Sequence, residues 1–448
     1  MKVMTEGTPW KLVFQFSVPL LIGGVFQQVY NLIDTMVVGR YLGETALAGV
    51  GSTGNLNLFL LALVMGMCNG AGIIVAQCFG AGQKEQLKNA VVAIIWVAGV
   101  LSAFLAVIGV AGAPCFLRLL AVPENAVGYS VSYMRIIFLF LAGNVLYNGC
   151  GAILRSFGDS RTPLYALVAA SVLNIVLDVL FIVQFKLSVA GAALATVIAQ
   201  HVSGIWCLVY LIRKREEFGL VGLRFLPQRQ MVFDIVRIGV PTAFQSCLIS
   251  IGGMSVQRLI NSFGVAVMAA YTAASKIDSI AIQVICSLGT ALSVFTGQNM
   301  GARDYERIQR GLRGTLAMSV ISAVIIAAGA FGFGTDIMRL FLGTGGSAEA
   351  IRIGAQYLAI MGVAYVICGI MQSYQNVIRG SGDVNTCMVA GMTELAGRVI
   401  FAYLLAAQIG VVGIWIATPL SWACGCIVPV VRYYGGKWKN KGVVEVPG

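Results

Sequence analysis

Runs of about twenty apolar residues, set end to end with short polar breaks, leave this chain one kind of fold. Inside hydrocarbon a backbone N–H or C=O finds no water, so a crossing segment must satisfy its own hydrogen bonds as a helix or join a closed barrel. Barrel strands alternate in polarity over about ten residues. The runs here are continuous and twice that length. They fall at 13–38, 48–76, 90–113, 131–154, 162–184, 189–212, 235–261, 275–297, 314–335, 354–378, 385–407 and 411–432. Only 11% of the 448 residues are charged, against about a quarter in a soluble domain. The chain is therefore expected to be an all-α integral membrane protein of twelve transmembrane helices. The first run is too long for the core of a cleaved signal and is expected to remain.

Between the sixth and seventh runs lies Arg213-Lys-Arg-Glu-Glu217 and a polar segment that ends at Asp234. This divides the chain into an N-terminal lobe (1–212), a linker (213–234), a C-terminal lobe (235–432) and a basic tail (433–448). Most of the 30 Lys and Arg residues, Lys2, Arg155 and Arg379 among them, fall on one side when the runs are threaded alternately. The positive-inside bias then places both termini in the cytoplasm and the protein in the plasma (inner) membrane. It also accounts for the net charge of +12 without a nucleic-acid partner.

The two lobes repeat. Pro19 matches Pro241, Gln77-Cys-Phe-Gly-Ala81 matches Gln298-Asn-Met-Gly-Ala302, and Arg155-Ser-Phe-Gly-Asp159 matches Arg379-Gly-Ser-Gly-Asp383. The offset stays between 221 and 224 positions. Six runs per half make the repeats parallel, the arrangement expected of a transporter with a central cavity between two bundles.

Polar residues inside the runs mark candidate sites. Gln27, Tyr30, Asn31 and Asp34 share one face of the first run at i, i+3, i+4 and i+7. Asn174 and Asp178 share a face of the fifth, Asn144 and Asn148 of the fourth, and Thr196 and Gln200 of the sixth. Two membrane carboxylates without a basic partner cannot both stay ionised cheaply, so Asp34 and Asp178 are a natural place for a proton or Na⁺. In the eleventh run Glu394 and Arg398 stand at i, i+4 and can neutralise each other, which reads as a structural ion pair. By the repeat offset Arg398 falls where Asn174 stands and Ala402 where Asp178 stands. Gln245, Gln283, Gln372 and Gln375 give the second lobe polarity without charge. Lys276 and Asp278 open the eighth run and read as interfacial. His201, the only histidine, reads as a packing residue. The cysteines show no zinc spacing and no disulfide framework. No metal, no nucleotide motif and no nucleophile–base constellation is indicated, which excludes an ATP-driven pump and an enzyme.

Taken together, Pro19, Asp34-Thr-Met-Val-Val-Gly39, Gln77 with Gly80-Ala81-Gly82, Arg155-Ser-Phe-Gly-Asp159, Asn174 and Asp178 make a set. With their repeat copies they resemble the multidrug and toxic compound extrusion (MATE) family, whose superfamily also holds lipid-linked oligosaccharide flippases. The resemblance covers essentially the whole chain. It implies two V-opening lobes, alternating access, and export of cationic amphipathic compounds against inward H⁺ or Na⁺. It also implies that Asp34, Asn174 and Asp178 form a first-lobe cation-coupling site, and that the first helix bends at Pro19.

A sodium-coupled branch of that family carries second-lobe acids in spans seven and ten, where this chain has Gln245 and Gln372. The resemblance is thus closer to the branch related to DNA-damage-inducible transporters, which favours H⁺ over Na⁺. Gln27, Tyr30, Asn31, Asn144, Asn148, Gln200, Gln245, Gln283 and Gln372 are the candidate substrate-cavity residues. No cofactor beyond the coupling ion, and a monomer in the bilayer, are expected. The competing reading is a flippase for a lipid-linked substrate. That cavity should be rich in Arg and Lys, and Arg398 is the one base plainly inside a run.

Overall fold

A computed structural model describes residues 3–119, 124–343 and 347–443. Lys2 and the last five residues of the basic tail lie outside the described residues. Among those described, all regular structure is helical: twelve α-helices, a π-helical turn (Leu180–Gln184) and a 3-10 turn (Lys437–Asn440). The α-helices are α1 (Pro9–Gly80), α2 (Lys84–Leu119), α3 (Glu124–Leu139), α4 (Leu141–Ser156), α5 (Arg161–Val179) and α6 (Ser188–Arg213). After a break follow α7 (Arg229–Asn261), α8 (Val265–Gly301), α9 (Tyr305–Leu342), α10 (Ala348–Gly380), α11 (Val384–Ile409) and α12 (Val411–Tyr434).

Helices and membrane spans do not map one to one. Within α1 the chain leaves helical geometry at Gly43 (φ 82°), which separates two spans, Pro9–Gly43 and Gly49–Gly80. A positive φ costs glycine nothing, so the reversal needs almost no loop. The fourth expected run is instead two helices, α3 and α4, meeting at 47° across Phe140. Counted as one broken span they bring the total to twelve. The eighth run was expected to begin at 275, yet α8 begins at Val265, directly after Gly264 (φ 95°). Its first turns, residues 265–274, are apolar and carry no charge, so the span extends ten residues before Ser275. The longest unbroken helices, α8 and α9 at 37 and 38 residues, run for about 55 Å. They therefore continue well beyond a hydrocarbon layer of about 30 Å.

The chain forms two compact units. The first comprises Met1–Val3 with Ile22–Val240, and the second Met4–Leu21 with Pro241–Gly448. In the first, α6 packs on α3, α4 and α5, and α2 packs on α3 and α4. His201 of α6 lies so close to Gly143 of α4 that any side chain there would strike the ring. Its Nδ1 bonds the Val197 carbonyl at 2.7 Å, the packing role expected of it. The linker belongs to this unit as well. Phe218 stacks on Phe157 at 4.6 Å, and the Trp96 indole donates to the Phe225 carbonyl.

In the second unit α10 is the axis, packed on α8, α9 and α12. The segment before α1 docks here. Met4 is buried, its N–H donates to Gln298 Oε1, and its carbonyl accepts from Asn299 and Arg307.

The repeated motif now has a physical reading. Gly158 (φ 82°) and Gly382 (φ 92°) turn the chain out of α4 and α10 respectively. Asp159 then caps α5 by accepting from the Arg161 and Thr162 N–H groups, and Asp383 clamps Arg432 of α12. The two glycines carry the backbone reversal, while the two aspartates that follow serve different contacts.

Candidate cation and substrate sites

Asp34 stands one turn beyond Tyr30 on α1, and Asp178 is the penultimate residue of α5. The helix does not end cleanly after Asp178: Leu180–Gln184 form a π-helical turn. Such a turn admits an extra residue and recurs beside functional groups. The two carboxyls, from helices far apart in sequence, adjoin. Asn174 is 1% exposed and Asp178 fully buried. Asp34 Oδ1, both Asp178 oxygens and both Asn174 amide atoms lack a hydrogen-bond donor or acceptor. No Lys or Arg is among the charges acting on either carboxyl. Adjoining carboxyls can share one proton as a hydrogen bond; without it they repel, and their oxygens are left as free ligands. The cluster can thus hold a proton, or a small cation on carboxylate and amide oxygens.

Tyr30 and Tyr133 close this cluster. Both lie within electrostatic reach of Asp34 and Asp178, and the Tyr133 hydroxyl meets Thr196 of α6. Tyr133 carries no signal in the sequence, because its approach depends on how α3 packs against α6 and its neighbours. Of the other α1 residues, Gln27 is partly buried and Asn31 exposed. On α4, Asn148 Nδ2 donates to the Asn144 carbonyl and side chain at 2.9 and 3.1 Å, so this pair bonds to itself. Gln200 is partly buried on α6.

In the second unit Gln245 is buried and accepts from Arg379 at 2.9 Å, while its own Nε2 lacks an acceptor. Gln283 donates to Ser287, and Gln372 accepts from Asn376. Glu394 and Arg398 pair at 2.6 Å, with side chains 8% and 15% exposed.

One assignment changes. Asp278 is not interfacial: it lies thirteen residues into α8 and accepts from the Tyr365 hydroxyl of α10 at 2.5 Å. The late start expected for this span put it at a helix end. Arg155 and Arg379, counted with the cytoplasmic segments, sit in the last turns of α4 and α10 and are partly buried. Each hydrogen-bonds to amide side chains, Arg155 to Asn69 and Arg379 to Gln245 and Asn376. Arg398 is therefore not the single base inside a unit.

A family model described as MatE matches residues 19–180 and 241–404, one copy in each half. The Bacillus subtilis protein named "Probable multidrug resistance protein YoeA" is 30% identical over 447 residues, covering 98% of this chain and 96% of its own length. "Probable multidrug resistance protein NorM" of Thermotoga maritima is 25% identical, covering 97% of this chain and 94% of its own. Among solved structures, one described as "Crystal structure of MATE in the bent conformation" superposes with a TM-score of 0.90 at 25% identity, over 98% of both chains. Another, the "Outward-facing conformation of a multidrug resistance MATE family transporter of the MOP superfamily", gives 0.90 at 26% identity over the same shares.

Proposed function

The chain belongs to the MatE family, and from that premise we propose that it exports cationic amphipathic compounds by exchange for an inward-moving cation held on Asp34, Asn174 and Asp178. The named relatives are multidrug resistance proteins, so the general activity is drug efflux across a membrane rather than catalysis. The observation that carries the coupling is the adjoining, unpartnered carboxyl pair with no base beside it. Such a pair is compensated by something taken from solution. One proton bridging the two acids satisfies them most simply, which favours H⁺ over Na⁺; the amides Gln245 and Gln372 in the second unit add no competing acid. Each charge moved inward along a potential of 100 mV supplies about 2.3 kcal/mol for export.

Pro19 lies on the same helix as Asp34, fifteen residues earlier, and removes a backbone hydrogen bond there. Loading the cation would change what Asp34 binds, and α1 can answer by bending at Pro19. Alternating access follows if the bent and straight helices favour opposite openings. We place both termini in the cytoplasm and the protein in the plasma membrane as a monomer.

The flippase reading retains one support, the partly buried Arg155 and Arg379 with amide partners alone, which could hold a phosphate. Efflux of a fluorescent organic cation from loaded proteoliposomes, under a pH gradient or a Na⁺ gradient applied separately, decides between them. Transport driven by one gradient and reduced at least tenfold in both Asp34→Asn and Asp178→Asn, with folding intact, is the expected result. No gradient-driven transport by folded wild-type protein would put the flippase first.

A further inference from the structure

Arg379, in the last turn of α10, carries a charge that no acid of its unit balances. Its Nη1 donates to Asn376 Oδ1 at 3.1 Å and its Nη2 to Gln245 Oε1 at 2.9 Å, and both acceptors are neutral amides. Asp383, the next acid along the chain, is held by Arg432, and Glu394 of α11 is held by Arg398. Among the described residues Arg379 makes no ion pair with any carboxylate. The side chain is partly buried, where a charge without its opposite is costly.

The guanidinium fixes how its two amides are turned. An amide that accepts from Arg379 must point its NH2 elsewhere, because the reverse would set donor against donor. Asn376 spends its Nδ2 on the Gln372 carbonyl and side chain at 2.8 and 3.2 Å. Gln245, 1% exposed on α7, finds no acceptor for its Nε2, and the buried Nε of Arg379 has none either. Gly391 of α11 faces this amide without a side chain; a Cβ there would come 3.8 Å from Nε2. Two hydrogen-bonded neighbours thus each hold out a buried N–H, and one of them is a cation. A buried donor left unpaired costs stability, so an acceptor belongs there. Water would accept these N–H groups but leave the charge as it is. An anion answers both needs, and charge-assisted hydrogen bonds are the strong ones.

From these observations we infer that the second unit binds a small monovalent inorganic anion of the chloride class, held by Arg379 Nε–H and Gln245 Nε2–H. A spherical ion is satisfied by such donors, whereas the phosphate of the flippase reading would bring further oxygens. The anion is a resident of the fold: it balances Arg379 where no carboxylate does and takes no part in loading Asp34 and Asp178. The first unit has no counterpart, because Gly23 stands where Gln245 does when the halves are aligned on Pro19 and Pro241. The inference does not depend on gradient-driven export.

Thermal unfolding of the purified full-length protein in one detergent tests it, with chloride exchanged for gluconate at constant ionic strength. An ion that binds only the folded form stabilises it in proportion to the logarithm of its concentration once the site fills, so the unfolding temperature should climb with each tenfold step in chloride. Gln245→Glu puts a carboxylate where it can pair with Arg379. That variant should be as stable in gluconate as the wild type is in chloride, and should gain nothing more from chloride. Arg379→Gln should lose the chloride response, and Arg155→Gln, in the first unit, should keep it. Should Arg379→Gln fail to fold, Gln245→Glu carries the test. The inference is overturned by an unfolding temperature that ignores chloride, by an undiminished chloride response in Gln245→Glu, by loss of the response in Arg155→Gln, or by stabilisation from inorganic diphosphate where chloride gives none.

Discussion

Breaking the Glu394–Arg398 pair from either side should destabilise the protein, and unequally. At an N···O separation of 2.6 Å and an effective dielectric constant of about 20, the attraction is on the order of 6 kcal/mol before desolvation is subtracted. Removing one member of a buried pair typically costs about 3–5 kcal/mol, because the survivor keeps its charge and loses its compensation. In Glu394→Gln the stranded guanidinium still has Asp278 within electrostatic reach, so the cost should fall near the lower end, about 3 kcal/mol. In Arg398→Gln the stranded carboxylate keeps only the Trp422 indole, so the cost should approach about 5 kcal/mol. The double variant Glu394→Leu/Arg398→Met removes both charges and keeps the volume, and should recover most of either loss. Unfolding of the purified variants in one detergent, followed as a rate where refolding fails, gives the ranking. A double variant as unstable as the two single losses added together would show that the two residues act independently, and the argument would fail.

Other substitutions test the packing and the topology. Gly380→Ala places a methyl group 2.5 Å from the Ser293 carbonyl oxygen, a backbone atom that cannot swing aside, and should cost about 1–3 kcal/mol in the same unfolding assay. Gly329→Ala, on α9 with open space around it, should instead be neutral or stabilise by up to about 1 kcal/mol. Equal effects at the two positions would contradict the packing. Of the eleven cysteines, Cys115 near the end of α2 is the exposed one. A membrane-impermeant maleimide should label it on intact cells if the termini are cytoplasmic; labelling that requires permeabilised cells would reverse the orientation.

The architecture was legible because a bilayer leaves a sequence so little freedom. Length and apolarity alone recover twelve spans, and the repeat follows from a constant offset. Spacing of four placed Asn174 with Asp178 on one face, since both lie on the same helix. What spacing could not supply was the meeting of helices distant in sequence. The adjacency of Asp34 and Asp178 depends on how α1 lies against α5, and the approach of Tyr133 depends on how α3 packs on α6. The π-helical turn after Asp178 has no residue signature, because Leu180-Phe-Ile-Val-Gln184 would suit an ordinary helix equally well. Asp278 was misplaced for another reason: the run was started at Ser275, although the apolar, uncharged residues 265–274 before it belong to the same helix. The amide partners of Arg155 and Arg379 were not legible either, because counting charges at span ends cannot tell a side chain that points to solvent from one that folds back into its unit.

The repeat conserves what the backbone needs and lets the buried charges diverge. Gly158 and Gly382 both hold the positive φ of the reversal after α4 and α10, and Asp159 and Asp383 both follow them. No such constraint binds an interior charge, which requires only that something nearby compensate it. In the second half Arg398 stands in the place of Asn174 and brings Glu394 one turn away; Asp278 stands in the place of Asn57 and brings two tyrosine hydroxyls. The first half has the opposite arrangement, two adjoining acids with neither a base nor a donor from the protein on their inner oxygens. A charge already compensated within the protein has no reason to exchange with solution. An uncompensated pair has every reason to, and on the proposed coupling that difference is why the first unit, rather than the second, is where an ion from outside would set the state of the molecule.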